Sequence, residues 1–171
     1  MTMGVVICDS KTWPDAYRTF VRTGQTTSCD DIYLAYRGLH SMAVRVKAAA
    51  ETTKKVIVWL LTRDEVERVL YPALPDDPSY RIWKRDFKGA TSLFAVVFKE
   101  NYAGKLAPMI DALQIFGRGY SWGGFESLLI QGYGTRSCKP MPFERMVRIA
   151  IGLESADDLI EDLRQAFEKL H

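Results

Sequence analysis

The chain has 171 residues, enough for one domain, or for one domain with a piece of another. Its 23 basic and 21 acidic residues leave a net charge of +2, which argues against nucleic-acid or anionic-membrane partners because these need a clustered basic surface. No apolar run approaches the roughly 20 residues that cross a bilayer, and no signal peptide is recognisable, so we expect a cytoplasmic protein with no membrane or nucleic-acid partner.

The N-terminal segment predicts a strand followed by a short helix. Residues 4–8 form a short apolar run, which is typical of a strand that is covered on both faces. Because no partner strand precedes this run, we expect that Met1 is not the natural boundary of a functional unit. A helix interrupted by Pro14 should then occupy residues 11–23.

The clearest predicted element is one long helix over residues 31–62. Its apolar residues recur every three or four positions, and no proline occurs between Pro14 and Pro72. A helix of about 30 residues would extend about 45 Å, which exceeds the needs of a small domain. We therefore expect this helix to bridge two domains or to line a subunit interface.

The rest of the chain alternates between short strands and helices. Strands are predicted over 66–70, 92–98 and 146–151, and helices over 105–113 and from Ser155 onward. Ser155 should cap the last helix, whose buried face would include Leu159 and Leu163. This order favours an α+β fold: a long N-terminal connecting helix, then a small C-terminal domain with a mostly antiparallel sheet and helices on one face.

Metal-dependent and histidine-dependent catalysis are not indicated. The two histidines are His40 and His171, and Cys8, Cys29 and Cys138 lack the paired spacing of a zinc site. An odd, unpatterned set of cysteines fits reduced thiols.

A glycine-rich segment, residues 116–127, is the first candidate for a ligand site. Four glycines flank the triplet Tyr120, Ser121 and Trp122, and glycine lets the backbone approach a ligand or bend tightly. The segment is neither a Walker A loop nor a dinucleotide fingerprint. On spacing alone, a turn with packed aromatic residues is the simpler interpretation.

Arg148 is the second candidate. Alternation in the predicted strand 146–151 places Val147 and Ile149 on one face, so Arg148 should project from the other. A guanidinium between apolar neighbours can hold a carboxylate by two parallel hydrogen bonds. A solvated arginine or a structural ion pair is the alternative.

Acidic residues crowd the start of the last helix: Glu154, Asp157, Asp158, Glu161 and Asp162. There they favour the helix dipole. We expect them to be solvated and to have no catalytic role.

Several segments together resemble the C-terminal portion of cystathionine beta-lyase-type enzymes, in the fold-type I, pyridoxal-phosphate-dependent family of cysteine and methionine metabolism. The strongest matches are Tyr-Ser-Trp-Gly-Gly-Phe-Glu-Ser at 120–127, Arg-Ile-Ala-Ile-Gly-Leu-Glu at 148–154 and Asp-Asp-Leu-Ile at 157–160. Weaker ones lie at 33–39, 72–75 and 83–87. Gamma-synthases and gamma-lyases typically have leucine where this chain has Trp122, which favours a beta-lyase.

The resemblance implies a division of the chain and a cofactor. Residues 1–62 would be the end of a large pyridoxal-phosphate domain with the connecting helix, and residues 63–171 the small C-terminal domain. The family attaches pyridoxal 5'-phosphate to a lysine in a sequence of the type Ser-x-Thr-Lys-Tyr-x-x-Gly-His-Ser-Asp. None of the lysines here stands in that context, so the resemblance implies that the cofactor has no matching attachment point in this chain.

The resemblance also implies the roles of the site residues. Arg148 would bind the α-carboxylate of an amino-acid substrate, while Tyr120, Ser121 and Trp122 would line the substrate side of the pocket. No catalytic residue is assigned to this chain. In a complete enzyme the lysine would take the α-proton, and cystathionine would give homocysteine, pyruvate and ammonia.

Two hypotheses follow. The chain is the C-terminal part of a carbon–sulfur beta-lyase that is inactive alone and is completed by a homo-oligomer or a complementing N-terminal chain. Alternatively, it is a non-catalytic interaction or ligand-binding module that retains the fold.

Overall fold

The computed structural model describes residues 3–171, so the expectation about Met1 lies outside the described residues. The chain divides into two compact units, Met1–Ala43 and Val44–His171. The helix α2, Cys29–Leu60, begins in the first unit and ends in the second.

The first unit begins with a segment that is neither strand nor helix. Val5, Val6 and Ile7 are 73%, 81% and 93% exposed, and no described residue pairs with them in a sheet. The prediction of a buried strand over 4–8 is therefore wrong for the described chain, because a strand forms only where a neighbouring strand satisfies its backbone. None of the described residues 3–43 is buried.

The helix α1, Trp13–Thr23, confirms the predicted short helix. Pro14 lies in its first turn, where the missing N–H has no intrahelical partner to lose. The carboxylate of Asp9 accepts a hydrogen bond from the backbone N–H of Thr12 at 2.8 Å, just before the helix. Gly24 ends the helix with φ +63°, a left-handed conformation that glycine adopts without strain.

The long helix is confirmed as one element, although α2 starts and ends two residues earlier than predicted. The hydroxyl of Ser28 accepts a hydrogen bond from the N–H of Asp31 at 3.1 Å and so satisfies one free donor of the first turn. Three buried apolar residues near its C-terminal end, Val56, Ile57 and Leu60, belong to the core of the second unit.

The second unit contains a five-stranded sheet in the order β1-β2-β5-β4-β3. The strands are β1 (Val66–Leu70), β2 (Leu93–Phe98), β3 (Gly117–Arg118), β4 (Leu128–Gln131) and β5 (Met146–Ala150). All neighbours pair antiparallel except β3 and β4, which are parallel. The predicted α+β fold with a mostly antiparallel sheet is confirmed.

The hydrophobic core lies on one face of this sheet. Val147 and Ile149 of β5 are buried there with residues of three helices, namely the end of α2, α4 (Leu106–Asp111) and α5 (Ala156–Phe167). The remaining helix, α3 (Tyr80–Asp86), has no buried residue. The helical layer therefore leaves the other face of β5 available for Arg148.

Candidate substrate-binding site

Arg148 lies at the centre of β5, and the predicted alternation is confirmed. Val147 and Ile149 are buried in the core, so the side chain of Arg148 projects from the opposite face. Residues directly opposite each other in an antiparallel pair share a face, and here these are Ala95 of β2 and Ile130 of β4. The aliphatic part of the Arg148 side chain is therefore bordered by the small side chain of Ala95 and the apolar side chain of Ile130.

The guanidinium of Arg148 has a backbone partner but no counter-charge. Its Nη1 donates a hydrogen bond to the backbone oxygen of Tyr120 at 2.7 Å. Among residues 3–171 no carboxylate forms an ion pair with it, although the side chain is half-buried. A guanidinium has five N–H donors, so most remain for another acceptor. Such a group favours an anion, because an anion would offset the cost of its partial desolvation.

The segment that supplies this carbonyl is the loop 119–127, which connects β3 to β4. Tyr120 and Trp122 are 61% and 64% exposed, and the ring of Tyr120 meets that of Tyr133 edge-on at 5.5 Å. Gly123 has φ +76°, so a side chain at that position would be strained. The structure thus brings Tyr120 to Arg148; Ser121 and Trp122 follow in the same loop, and their role as lining residues stays a prediction.

The C-terminal end of the loop is held by a carboxylate that we expected to be solvated. Ser127 is 0% exposed; its Oγ donates to Glu154 Oε2 at 2.7 Å and accepts from the N–H of Gly152 at 2.8 Å. The N–H of Ser127 donates to Glu154 Oε1 at 2.6 Å. The expectation of a freely solvated Glu154 is wrong, because two donors of the loop need its oxygens as acceptors.

Gly152 lies too close to the loop for any larger residue. A Cβ atom at this position would lie 2.6 Å from Glu154 Oε2 and would also overlap the backbone oxygen of Phe125. The close approach lets the N–H of Leu153 donate to that same oxygen at 2.9 Å. The family-like sequence Gly-Leu-Glu at 152–154 therefore lies where its backbone contacts the backbone of the loop 119–127.

The segment that leads into β3 is held by a second buried carboxylate. Asp162 of α5 is 4% exposed and accepts hydrogen bonds from the N–H groups of Gln114, Ile115 and Phe116 at 2.8, 2.8 and 3.1 Å. The expectation that Asp162 is solvated is wrong. Its spacing of three residues from Leu159 places it on the buried stripe of the helix, and this signal was available in the sequence.

The described chain contains neither a cluster of metal-binding side chains nor a helix that could span a membrane. Residues 3–171 contain no group of three or more His, Cys, Asp or Glu side chains that could hold a metal ion. Within the same range, no helix is both long enough and apolar enough to cross a membrane.

Comparison with known proteins identifies the family. The profile of the Cys/Met metabolism PLP-dependent enzymes matches residues 1–168, which include the site. The chain belongs to this family.

Relatives within the family differ in the reactions that their names give. Cystathionine beta-lyase MetC of Escherichia coli is 34% identical over 175 residues, covering 98% of this chain and 44% of that protein. An L-alanine/L-glutamate racemase of Wolbachia pipientis is 35% identical over 175 residues, covering 99% of this chain and 43% of that protein. The chain therefore spans less than half the length of these relatives.

Solved structures of the family share the fold. The O-acetylhomoserine sulfhydrylase of Wolinella succinogenes superposes with a TM-score of 0.78 and 29% identity, over 90% of this chain and 42% of that one. The fold and the family thus agree.

The residues of the site could receive an anionic group, but they offer no amine for the aldehyde of pyridoxal phosphate. Arg148 offers N–H donors and has no carboxylate partner among residues 3–171, which suits an anion. The segments that form the site, namely the loop 119–127, β5 and residues 152–154, contain no lysine. The family is pyridoxal-phosphate-dependent, and this chain lacks the lysine region that would hold the cofactor covalently.

Proposed function

We propose that this chain is the substrate-binding C-terminal part of a pyridoxal-phosphate-dependent carbon–sulfur beta-lyase and that it is inactive alone. The observation that carries the proposal is Arg148, a half-buried guanidinium with no carboxylate partner among residues 3–171, beside an exposed aromatic loop. Family membership alone does not choose the reaction, since a racemase is as similar to this chain as a lyase. Trp122 supports the beta-lyase, by the resemblance of its segment.

Arg148 binds the α-carboxylate of the substrate through two parallel hydrogen bonds. Its Nη1 is oriented by the carbonyl of Tyr120, so the guanidinium loses little rotational freedom when the substrate arrives. The rings of Tyr120 and Trp122 are open to solvent and would cover the substrate, thereby excluding water. Bound pyridoxal phosphate acts as an electron sink for the α-carbon.

The overall reaction converts cystathionine and water into homocysteine, pyruvate and ammonia. It requires a base for the α-proton, which the family's lysine would provide and which no lysine of this chain matches. The chain therefore needs a polypeptide that carries the lysine and the phosphate-binding residues. A complementing N-terminal chain or a homo-oligomer of a longer form would supply them.

A hybrid enzyme tests this function. This chain replaces the 175 aligned residues of the Escherichia coli lyase, and pyruvate release from cystathionine is measured. We expect the hybrid to release pyruvate. Arg148→Ala should lower kcat/KM by at least about 100-fold, because the two charge-assisted hydrogen bonds to the carboxylate contribute about 1.5–3 kcal/mol each. Arg81→Ala, which removes an exposed arginine of α3, is the matched control and should leave kcat/KM unchanged.

The outcomes separate the alternatives. A folded hybrid that binds pyridoxal phosphate but releases no pyruvate would refute the lyase and favour the non-catalytic module. Racemisation of alanine without pyruvate would favour the reaction named for the Wolbachia relative. The chain alone should give no borohydride-trapped adduct with pyridoxal phosphate; a specific lysine adduct together with pyruvate release would refute its inactivity.

A further inference from the structure

The C-terminal end of the loop 119–127 is fastened to the segment after β5 by a cluster of hydrogen bonds that we call the clasp. It consists of Phe125 and Ser127 on the loop side, and Gly152, Leu153 and Glu154 on the other. Both oxygens of the Glu154 carboxylate accept from Ser127, at 2.6 and 2.7 Å. Backbone N–H groups complete the clasp, from Gly152 to the Ser127 hydroxyl at 2.8 Å and from Leu153 to the Phe125 oxygen at 2.9 Å.

The clasp depends on the Glu154 side chain. Ser127 is fully buried, so its N–H and hydroxyl groups could not form hydrogen bonds to water if the carboxylate of Glu154 were removed. The hydrogen bonds from the N–H groups of Gly152 and Leu153 form only while the loop backbone stays close to the backbone of residues 152–153. This close contact is possible because Gly152 has no side chain. Loss of the Glu154 acceptor should therefore release the loop side as a unit, including the bond between Leu153 and Phe125.

The other end of the same loop orients Arg148. The carbonyl of Tyr120 accepts from Arg148 Nη1 at 2.7 Å, and this is the one hydrogen bond that the side chain makes within residues 3–171. Arg148 belongs to β5, and the strand continues directly into the segment that carries Glu154. The loop is thus attached at one end to β5, through Arg148, and at the other end to the segment after β5, through Glu154.

We propose that Glu154 is a positioning residue for the substrate site: through Ser127 it fixes the loop whose Tyr120 carbonyl holds the guanidinium of Arg148. The proposal rests on the proposed function, in which Arg148 receives the substrate carboxylate. Glu154 touches neither substrate nor cofactor in this scheme. Its effect is transmitted by the backbone of residues 120–127.

The test uses the 171-residue chain without ligand and combines NMR spectroscopy with amide hydrogen exchange. In Glu154→Gln, one oxygen that accepts from Ser127 becomes an NH2 group. The Arg148 Nε–Hε signal should shift or broaden, and exchange of the Leu153 amide should accelerate about tenfold, as expected for local opening. Amides of β5 and α5 in the core should exchange as before.

The matched control is Glu126→Gln, the same chemical change at an exposed neighbour in the loop. It should leave both signals unchanged. If Glu154→Gln does not fold, as judged by thermal unfolding, Ser127→Ala takes its place, since it removes the hydroxyl between Glu154 and Gly152. Ser127→Ala should produce the same two changes.

An Arg148 signal and a Leu153 exchange rate equal to those of the control would overturn the proposal. Equal acceleration of every core amide would also overturn it, since Glu154 would then stabilise the whole unit without acting on the site. Because no substrate or cofactor is used, failure here leaves the lyase proposal intact. An inactive hybrid enzyme would refute the lyase proposal and leave the clasp result standing.

Discussion

The buried carboxylate of Asp162 offers the most direct test of how the site is supported. It lies on α5, remote in sequence from the N–H groups of Gln114, Ile115 and Phe116 that donate to it. These groups immediately precede β3 and the loop that holds Arg148 in place. Asp162→Asn keeps the size of the side chain but replaces one acceptor oxygen by a donor group.

The magnitude follows from the bonds. Oδ2 accepts from Ile115 and Phe116, whereas Oδ1 accepts from Gln114 and from the side chain of Gln165. The single amide oxygen can replace only one of the two, so at least one backbone N–H must face an NH2 group. Each buried donor left without an acceptor costs about 1–3 kcal/mol, and we expect Asp162→Asn to lower the free energy of unfolding by about 2–3 kcal/mol.

Asp162→Ala removes both acceptors and should lower the free energy of unfolding by about 3–5 kcal/mol, since the bond to Phe116 is buried and the others are partly hydrated. Urea denaturation followed by circular dichroism measures these differences. For a chain of this size, 2–3 kcal/mol corresponds to a fall in Tm of about 5–10 °C.

The control is Asp158→Asn, the same change at an exposed position near the start of the same helix. Its effect should stay below about 1 kcal/mol, the contribution expected from the helix dipole. Equal losses for Asp158→Asn and Asp162→Asn would refute the reasoning, because the three N–H bonds would then contribute nothing beyond the charge.

Three other perturbations have defined outcomes. Gly152→Ala should lower the free energy of unfolding by about 2–3 kcal/mol in urea denaturation, because the methyl group overlaps the neighbouring loop. Tyr71→Phe should cost about 1 kcal/mol, since its hydroxyl donates to the Thr91 carbonyl at 2.8 Å. Burial raises the pKa of Tyr71, so the stabilising contribution of this side chain is present below the ordinary tyrosine pKa and is lost as the pH rises through the raised value. In an ultraviolet titration, Tyr71 should ionise above the ordinary tyrosine pKa. The pKa of Asp9 is lowered, chiefly by the hydrogen bond from the Thr12 hydroxyl and further by backbone N–H groups. The stabilising contribution of Asp9 is therefore lost as the pH falls through that lowered pKa. Thr12→Val should raise the pKa of Asp9 in a carbon-13 NMR titration, and an unchanged pKa would contradict this reasoning.

The helices and strands that could be predicted are those in which apolar residues recur at the regular spacing of a helix or a strand. The long helix and the alternation around Arg148 follow from spacings of 3.6 and 2 residues, which depend on local sequence alone. The strand predicted over residues 4–8 was wrong because pairing requires a neighbour, and composition does not show whether one is present.

The candidate site was predicted in part for a similar reason. Arg148 could be placed on its sheet face, but its bond to the Tyr120 carbonyl depends on the path of a loop, which no periodicity encodes. Glu154 and Asp162 were expected to be solvated because charged residues usually are. Each carboxylate instead accepts hydrogen bonds from backbone N–H groups that are distant in sequence. Which N–H groups are buried and lack a backbone acceptor can be determined only from the folded structure.

The parallel pairing of β3 and β4 has a consequence for how this site can vary. Gly117 lies opposite Leu128, so residues 119–127 must carry the chain from the end of one strand back to the start of the next. Parallel strands are usually joined by a dozen or more residues, and this connection is shorter. It is anchored at two points, because the carbonyl of Tyr120 accepts a hydrogen bond from Arg148 and Ser127 is bonded to Glu154. We therefore expect the exposed side chains between the two anchors, such as that of Trp122, to be exchangeable without loss of the bonds that attach the loop to Arg148 and Glu154.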